Sequence, residues 1–276
     1  LIKTEQSVIL GGLIPSFFMS NKIYYFISGL PRSGTTLLAA ILNQNPRFYA
    51  DIYSPLLNSI DAVKICLTAS QNSTLVDNEQ RKNFFEGMID GFYKHVEKPI
   101  VFDSNRRWSS HSTFLNTLYP HTKIICCVRD IVQILNSFET IRQKNSLHGY
   151  NLNGGGETVY KRCEELMARE TGIVSKAVMS LREGGMVSPE MIYLVEYESL
   201  CKNPENTMRS IYNFIEQPYF DHDFNNVIYS NDSFDRSINL EGLHTVRKKV
   251  EYKPPKCILP ADIVDECSQR KMEFWK

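Results

Sequence analysis

Residues 23–46 read IYYFISGLPRSGTTLLAAILNQNP, and this stretch decides the fold. Its first six residues, IYYFIS, are β-branched and aromatic with no charge, a pattern that predicts a buried strand. In GLPRSGTT, Gly, Pro and Ser then interrupt any regular element. TTLLAAILNQ reads as a helix that ends at Asn45-Pro46, because proline pushes the residue before it out of the helical region. Strand, glycine loop and helix in that order are the setting of a nucleotide-binding loop. Glycines let backbone amides close on a phosphate, and the helix N-terminus adds its positive end. The Gly29-x4-Gly34 spacing fits such a loop, but Thr35 stands where the usual loop lysine would be. The cation is instead inside the loop, at Arg32.

Beyond the loop, strands keep alternating with helices. RFYA (47–50) predicts a short strand ending at Asp51. Residues 53–70 and 78–97 predict helices separated by the polar turn QNSTLVD. PIVFD (99–103) predicts a second buried strand, with SNRRW leaving the sheet. A short helix over 112–119 and a third buried strand, TKIICCV (122–128), follow. Asp130 suits a helix N-cap, with the helix running to about Gln143. NLNGGG (151–156) reads as a loop, Glu157 to Leu181 as one long helix, MIYLV (191–195) as a strand and 203–215 as a helix. After Pro218 the chain is polar, with short elements only. This alternation implies parallel pairing and right-handed crossovers. The expected fold class is α/β: a single P-loop-like three-layer domain with a central parallel sheet flanked by helices. Ligands of such sheets bind at the carboxyl ends of the strands. There the sequence places GLPRSGTT, Asp51, Asp103-Ser104-Asn105-Arg106 and Arg129-Asp130.

The chain has 276 residues, 42% of them hydrophobic, enough for one large core. Lys+Arg and Asp+Glu are both 31, so the formal net charge is zero. That balance argues against a nucleic-acid binder and makes any phosphate recognition local. Seven cysteines form no CxxC pair, which suggests reduced thiols and a cytoplasmic setting. Residues 1–18 lack a starting Met and read as a vector remnant or an N-terminal extension, with the domain proper over 19–276. Their apolar patch, SVILGGLIPSFF, is shorter than the roughly 20 residues a membrane span needs, and no other run is long enough. Two glycosylation sequons, at Asn72 and Asn231, are no more than chance would place in such a chain.

The stretch IYYFISGLPRSGTTLLAAILNQNP resembles the 5′-phosphosulfate-binding loop of sulfotransferases, whose signature is PxSGTT with Arg or Lys at x. The Arg version is closer to the tyrosylprotein-type and many bacterial members than to the phenol-type enzymes. The resemblance implies a donor, 3′-phosphoadenosine 5′-phosphosulfate (PAPS, product PAP), held by Pro31, Arg32, Ser33, Gly34, Thr35 and Thr36. A second segment, KIICCVRDIVQILNSF, resembles the family's 3′-phosphate motif, with Arg129 at a strand end and Ser137 eight residues on. Two helical turns bring Ser137 back towards the strand end, and Arg129 can grip a phosphate bidentately. YLVEYESLCKNPENTMRSIYNFIEQP (193–218) resembles the strand–YExL–helix segment, in which Tyr197 would line the adenine. GLHTVRKKVEY (242–252) lies where the family brings a late basic loop over the 3′-phosphate, which nominates Arg247 and Lys248. His244 is a candidate contact to substrate or donor.

Sulfuryl transfer needs in-line positioning and stabilisation of charge on the leaving oxygen, a role for Arg32. The moving group carries less charge than a phosphoryl group, so no metal is expected. The acceptor hydroxyl or amine needs a base. Tyrosylprotein-type members use a Glu shortly after the first helix, and NPRFYADIYSPL contains none. Asp51 is the nearest carboxylate there, while Asp103 matches the position of the phenol-type histidine. Asp51 is preferred narrowly to Asp103, the six histidines are further candidate bases, and Asn105 and Arg106 are candidate donors to the sulfate or the acceptor. The acceptor could be a small molecule, a carbohydrate or a peptide, walled by residues 52–98 and 144–157. Rival readings are a P-loop small-molecule kinase and an inactive nucleotide-binding protein.

Overall fold

Five parallel strands form the centre of the molecule, in the order β2-β3-β1-β4-β5. The structure, a computed structural model, describes residues 22–147, 156–229, 235–236, 243–270 and 272–275. The stretch 1–18, the sequon at Asn231 and all of the 151–156 loop but Gly156 lie outside these residues. The strands are β1 (Ile23–Gly29), β2 (Phe48–Ala50), β3 (Ile100–Ser104), β4 (Ile124–Val128) and β5 (Ile192–Glu196). Each falls where an apolar run predicts one.

Alternate residues of each strand feed two separate cores. Tyr24, Phe26, Val101, Ile124 and Cys126 face one layer, and Tyr25, Ile27, Phe102, Ile125 and Cys127 face the other. Both faces are covered, which explains unbroken apolar runs in place of alternating ones. The first layer comprises α2 (Leu56–Thr68), α4 (Asn78–Phe92), α5 (Ser112–Leu118), α6 (Ile131–Lys144), α7 (Val159–Leu166), α8 (Ile173–Val187) and α11 (Ala261–Gln269). The second comprises α1 (Thr35–Leu42), α9 (Tyr197–Lys202) and α10 (Pro204–Phe214). Each fully buried aliphatic or aromatic side chain in these layers is worth about 1.5–3 kcal/mol.

Local signals set several boundaries. Asp130 caps α6 by accepting from the Gln133 amide at 2.9 Å. Asp77 and Gln80 form a capping box at the start of α4. The polar turn before it contains a single helical turn, α3 (Asn72–Leu75).

Two expectations need correction. The long helix over 157–181 is two helices, α7 and α8, broken at 167–172. Gly172 packs so tightly into this reversal that a β-carbon would lie 2.4 Å from the Leu166 carbonyl oxygen. The Ser175 hydroxyl ties the two helices by donating to Met167 O at 2.7 Å. The tail after Pro218 also carries more structure than short elements, because α11 packs under α6 through Ile263 and Cys267.

The topology creates the crevice. After β1 the chain builds β2 and β3 on one side, then crosses to β4 and β5 on the other. A ligand site is expected at the carboxyl ends beside β1, where these connections diverge. The tail returns to this edge, with Val227 N–H donating to Lys248 O at 2.7 Å and Val250 N–H to Phe224 O at 2.8 Å.

Candidate functional site

β1 ends at Gly29, whose φ is 133° and whose Cβ, if it had one, would lie 2.2 Å from the Cys127 carbonyl oxygen. Only glycine lets β1 and β4 approach this closely. The loop then turns through left-handed backbone at Arg32 (φ 60°) and Gly34 (φ 93°). Such turns direct successive amides into a concave anion cradle. Ser33 is fully buried and braces the turn, its hydroxyl donating to Leu30 O at 2.6 Å. Gly34 leads directly into α1, so the helix adds its positive end. Left-handed backbone at a non-glycine such as Arg32 costs on the order of 1–3 kcal/mol, and such strain concentrates at functional sites.

The cation of the loop is held in place. Arg32 Nε donates to Ser137 Oγ at 3.1 Å, and its Nη1 donates to Leu243 O. Arg129, at the end of β4, donates through Nη1 to Arg32 O at 3.0 Å. Its Nε and Nη2 both donate to Gln133 Oε1, at 3.2 and 3.1 Å. Gln133 in turn donates to Glu198 Oε1 at 2.7 Å, and Tyr252 donates to the same oxygen at 3.1 Å. Burial works to raise the Glu198 pKa, but hydrogen bonds from Gln133, Lys202 and Tyr252 outweigh it and hold the carboxyl below its ordinary range. The result is a chain from Arg129 through Gln133 to an ionised carboxylate, which fixes the direction of the guanidinium.

These groups open onto one cavity of about 850 Å³. Pro31, Arg32, Gly34, Thr35, Thr36, Asn105, Arg106, Arg129, Ser137, Tyr197, His244 and Arg247 all line it. Among the expected site residues, four do not. Ser33 is the brace just described. Lys248 sits in a bend of the tail and does not line the cavity, although its neighbours Arg247 and Lys249 do. Asp51 lies beside the cavity, accepting from its neighbour Ile52 N–H at 2.7 Å and from Tyr49 OH at 3.3 Å.

Asp103 is the largest departure. It shares the face of Val101 and points into the core beneath the sheet, 0% exposed. There it accepts hydrogen bonds from Tyr93 OH and from Trp108 Nε1, the latter at 2.5 Å. Burial pushes its pKa up, against those hydrogen bonds. A carboxyl in this position holds Tyr93 and Trp108, and the structure does not bring it to the cavity. Asn105 remains at the cavity wall, its amide donating to Ser54 O at 3.3 Å. Arg106 is exposed there, its carbonyl accepting from Ser28 Oγ at 2.8 Å.

His244 is the imidazole of the cavity. Its Nδ1 lies 2.6 Å from Asp235 Oδ1, and its backbone N–H donates to Asp235 Oδ2 at 2.9 Å. Burial lowers the His244 pKa first of all; Asp235 opposes this, while Arg32 and Arg106 reinforce it. The sequence reading missed Gln133, Glu198 and Asp235. Ile52, Tyr53, Asn58 and Lys144 also line the cavity, with Thr171, Ile173 and Lys176 at the α7–α8 break and on α8.

The chain spans between about a third and two thirds of the length of the curated relatives it matches. It is 25% identical over 215 residues to protein-tyrosine sulfotransferase 1 of Danio rerio, covering 75% of this chain and 57% of that one. It is 23% identical over 240 residues to protein-tyrosine sulfotransferase A of Caenorhabditis elegans, covering 80% and 60% respectively. Among solved structures, the sulfotransferase domain from the curacin biosynthetic pathway superposes with a TM-score of 0.50 at 18% identity, covering 90% of this chain and 97% of the other. That likeness concerns the fold. The model of the sulfotransferase family matches residues 25–221, which include the loop, Arg129, Ser137 and Tyr197, and the chain belongs to this family.

Proposed function

We propose that this chain moves a sulfuryl group from PAPS to the phenolic hydroxyl of a tyrosyl side chain in a protein or peptide. The observation that carries the donor half is the convergence of the Pro31–Thr36 loop with Arg129 and Ser137 on one cavity. The loop presents an anion cradle beside a helix N-terminus, and a guanidinium and a hydroxyl, each hydrogen-bonded to Arg32, line the same cavity. Such an array suits a ligand with two separated phosphate positions, which PAPS has and a simple phosphate ester lacks. Thr35 in place of the loop lysine favours this donor over ATP. The names of the relatives favour tyrosyl acceptors.

PAPS supplies an activated sulfuryl group on a phosphate that leaves as PAP. The chain supplies the rest. Amides of the loop and the start of α1 hold the 5′ side, and Arg129 with Ser137 holds the 3′ side. Arg32 stabilises the negative charge that builds on the leaving oxygen. Its bond to Ser137 keeps the guanidinium inside the cavity. Arg106 and Asn105 line the side from which an acceptor enters, with Tyr53 and Asn58 beyond them.

The test is ligand-linked stability followed by transfer. PAP without Mg²⁺ should raise the melting temperature, and labelled PAPS should transfer its sulfuryl group to a tyrosyl peptide. Stabilisation by ATP with Mg²⁺ and not by PAP would replace this reading with the kinase one. PAP binding without transfer to any acceptor would leave a nucleotide-binding protein.

A further inference from the structure

We propose that His244 is the base that takes the proton from the acceptor hydroxyl, and that Asp235 positions its imidazole for this step. The inference rests on the sulfuryl-transfer reading above and names the residue that reading lacks.

Neither carboxylate at the strand ends reaches the cavity. Asp51 is turned to Tyr49 and Ile52, and Asp103 lies beneath the sheet. Among the described residues the one carboxylate lining the cavity is Glu251, which is paired with Lys253. A protonatable group is nevertheless present, because His244 lines the cavity with Arg32 and Arg106.

Asp235 grips His244 twice, through the ring and through the backbone of the same residue, at 2.6 and 2.9 Å. Two contacts from one carboxylate set both where the residue sits and how its ring is turned. The Asp235 side chain is 6% exposed, so the pairing is shielded from water. A carboxylate at Nδ1 keeps the proton on that nitrogen and places the ring lone pair on Nε2. This is the same division of labour by which a buried carboxylate orients a histidine base in triad hydrolases.

The surroundings favour the neutral form of the ring. Burial lowers its pKa below the ordinary histidine value, and the facing charges of Arg32 and Arg106 act in the same direction against Asp235. A neutral imidazole is the form that accepts a proton. The base is also coupled to the loop cation, since the preceding carbonyl, Leu243 O, receives Arg32 Nη1.

The step balances. The acceptor oxygen forms a bond to sulfur as its proton passes to His244 Nε2. The bond between sulfur and the 5′-phosphate oxygen breaks, and its electron pair leaves with PAP. The imidazolium then returns its proton to solvent.

The experiment compares the wild-type chain with His244→Gln and Asp235→Asn. Turnover is measured as conversion of PAPS to PAP with a tyrosyl peptide and with water as acceptor. PAP affinity is measured by calorimetry, and the imidazole tautomer by ¹⁵N NMR. We expect His244→Gln to lose about 100-fold or more in turnover while its PAP affinity stays within about threefold of wild type. Asp235→Asn should lose about 10-fold, shift the acidic limb of the pH–rate profile, and abolish the Nδ1–H preference that the wild-type ring shows near neutral pH. Retention of turnover by His244→Gln overturns the proposal. So does an imidazolium, or an Nε2–H tautomer, in the wild-type ring near neutral pH. Failure of the wild-type chain to bind PAP counts against the donor reading instead, and the tautomer still decides the Asp235–His244 pairing. A wild-type chain that binds PAP but converts PAPS with neither acceptor overturns both.

Discussion

The ring of Tyr197 occupies the space that a side chain on Gly34 would need: a β-carbon there would lie 2.7 Å from Tyr197 Cδ2. The guanidinium of Arg129 lies over the same ring, 4.2 Å from its centroid. One aromatic residue thus packs against both Gly34 of the loop and the Arg129 guanidinium, which also donates to the loop carbonyl of Arg32.

Gly34→Ala should therefore damage both fold and site. The backbone at φ 93° is left-handed, and the new methyl group meets the Tyr197 ring. Strain of this kind costs about 1–3 kcal/mol. The variant should melt several degrees lower and lose PAP binding by calorimetry. An unchanged melting temperature and affinity would show that the loop can relax around the methyl group.

Arg129→Lys keeps the charge but removes the fork that engages Gln133 and the Arg32 carbonyl. A charge-assisted pair is worth about 1.5–3 kcal/mol, so PAP affinity should fall roughly 10- to 100-fold. Ser137→Ala removes a neutral donor and should cost less, about 0.5–1.5 kcal/mol. Titration calorimetry on both variants ranks them, and the reverse order would count against the assignment of Arg129 to a phosphate.

Asp103→Ala and Asp51→Asn separate structural from chemical carboxylates. The first leaves buried donors of Tyr93 and Trp108 without their acceptor. It should destabilise the chain by about 1–3 kcal/mol in denaturant unfolding, with PAP affinity of the folded protein retained. The second removes a carboxylate that accepts from Tyr49 and the Ile52 amide outside the cavity, and its turnover should stay near wild type. A selective loss of turnover in Asp51→Asn would return that residue to the role assigned above to His244.

Stability should also carry a signature of His222. Burial depresses its pKa from 6.5 to about 4, with Asp221 opposing. The unfolded chain then binds a proton that the folded chain refuses. Stability from this residue is full above about pH 6.5 and is lost as pH falls through about 4. The buried carboxyl of Asp103, with its raised pKa, works in the opposite direction. His222→Gln, which can still bond Tyr212 OH, isolates the histidine contribution. Its unfolding free energy should fall less between pH 6.5 and 4 than that of wild type, and parallel curves would refute the shift.

Elements with a local cause were legible in the sequence. The apolar runs of β1, β3 and β4, the cap at Asp130 and the loop at 29–36 all stand where they were read. The break between α7 and α8 was not, because Gly172 breaks the helix through its approach to the Leu166 carbonyl, a contact that exists only once the helices pack. The face of Asp103 was hidden for a related reason. In a strand covered on both sides, the residue pattern does not say which core a polar side chain will enter.

By itself the sequence determined the strand–loop–helix at 23–42 and the arginine at the end of β4, because consecutive backbone amides and a strand-end residue have a fixed local spacing. Tertiary structure alone decided the rest. It oriented Arg129 through Gln133 and Glu198, turned Asp103 away, and folded the tail back on Phe224 and Val227 so that His244 entered the cavity. These outcomes depend on side-chain direction and on contacts between segments far apart in the chain, where small differences in packing set which group faces the ligand.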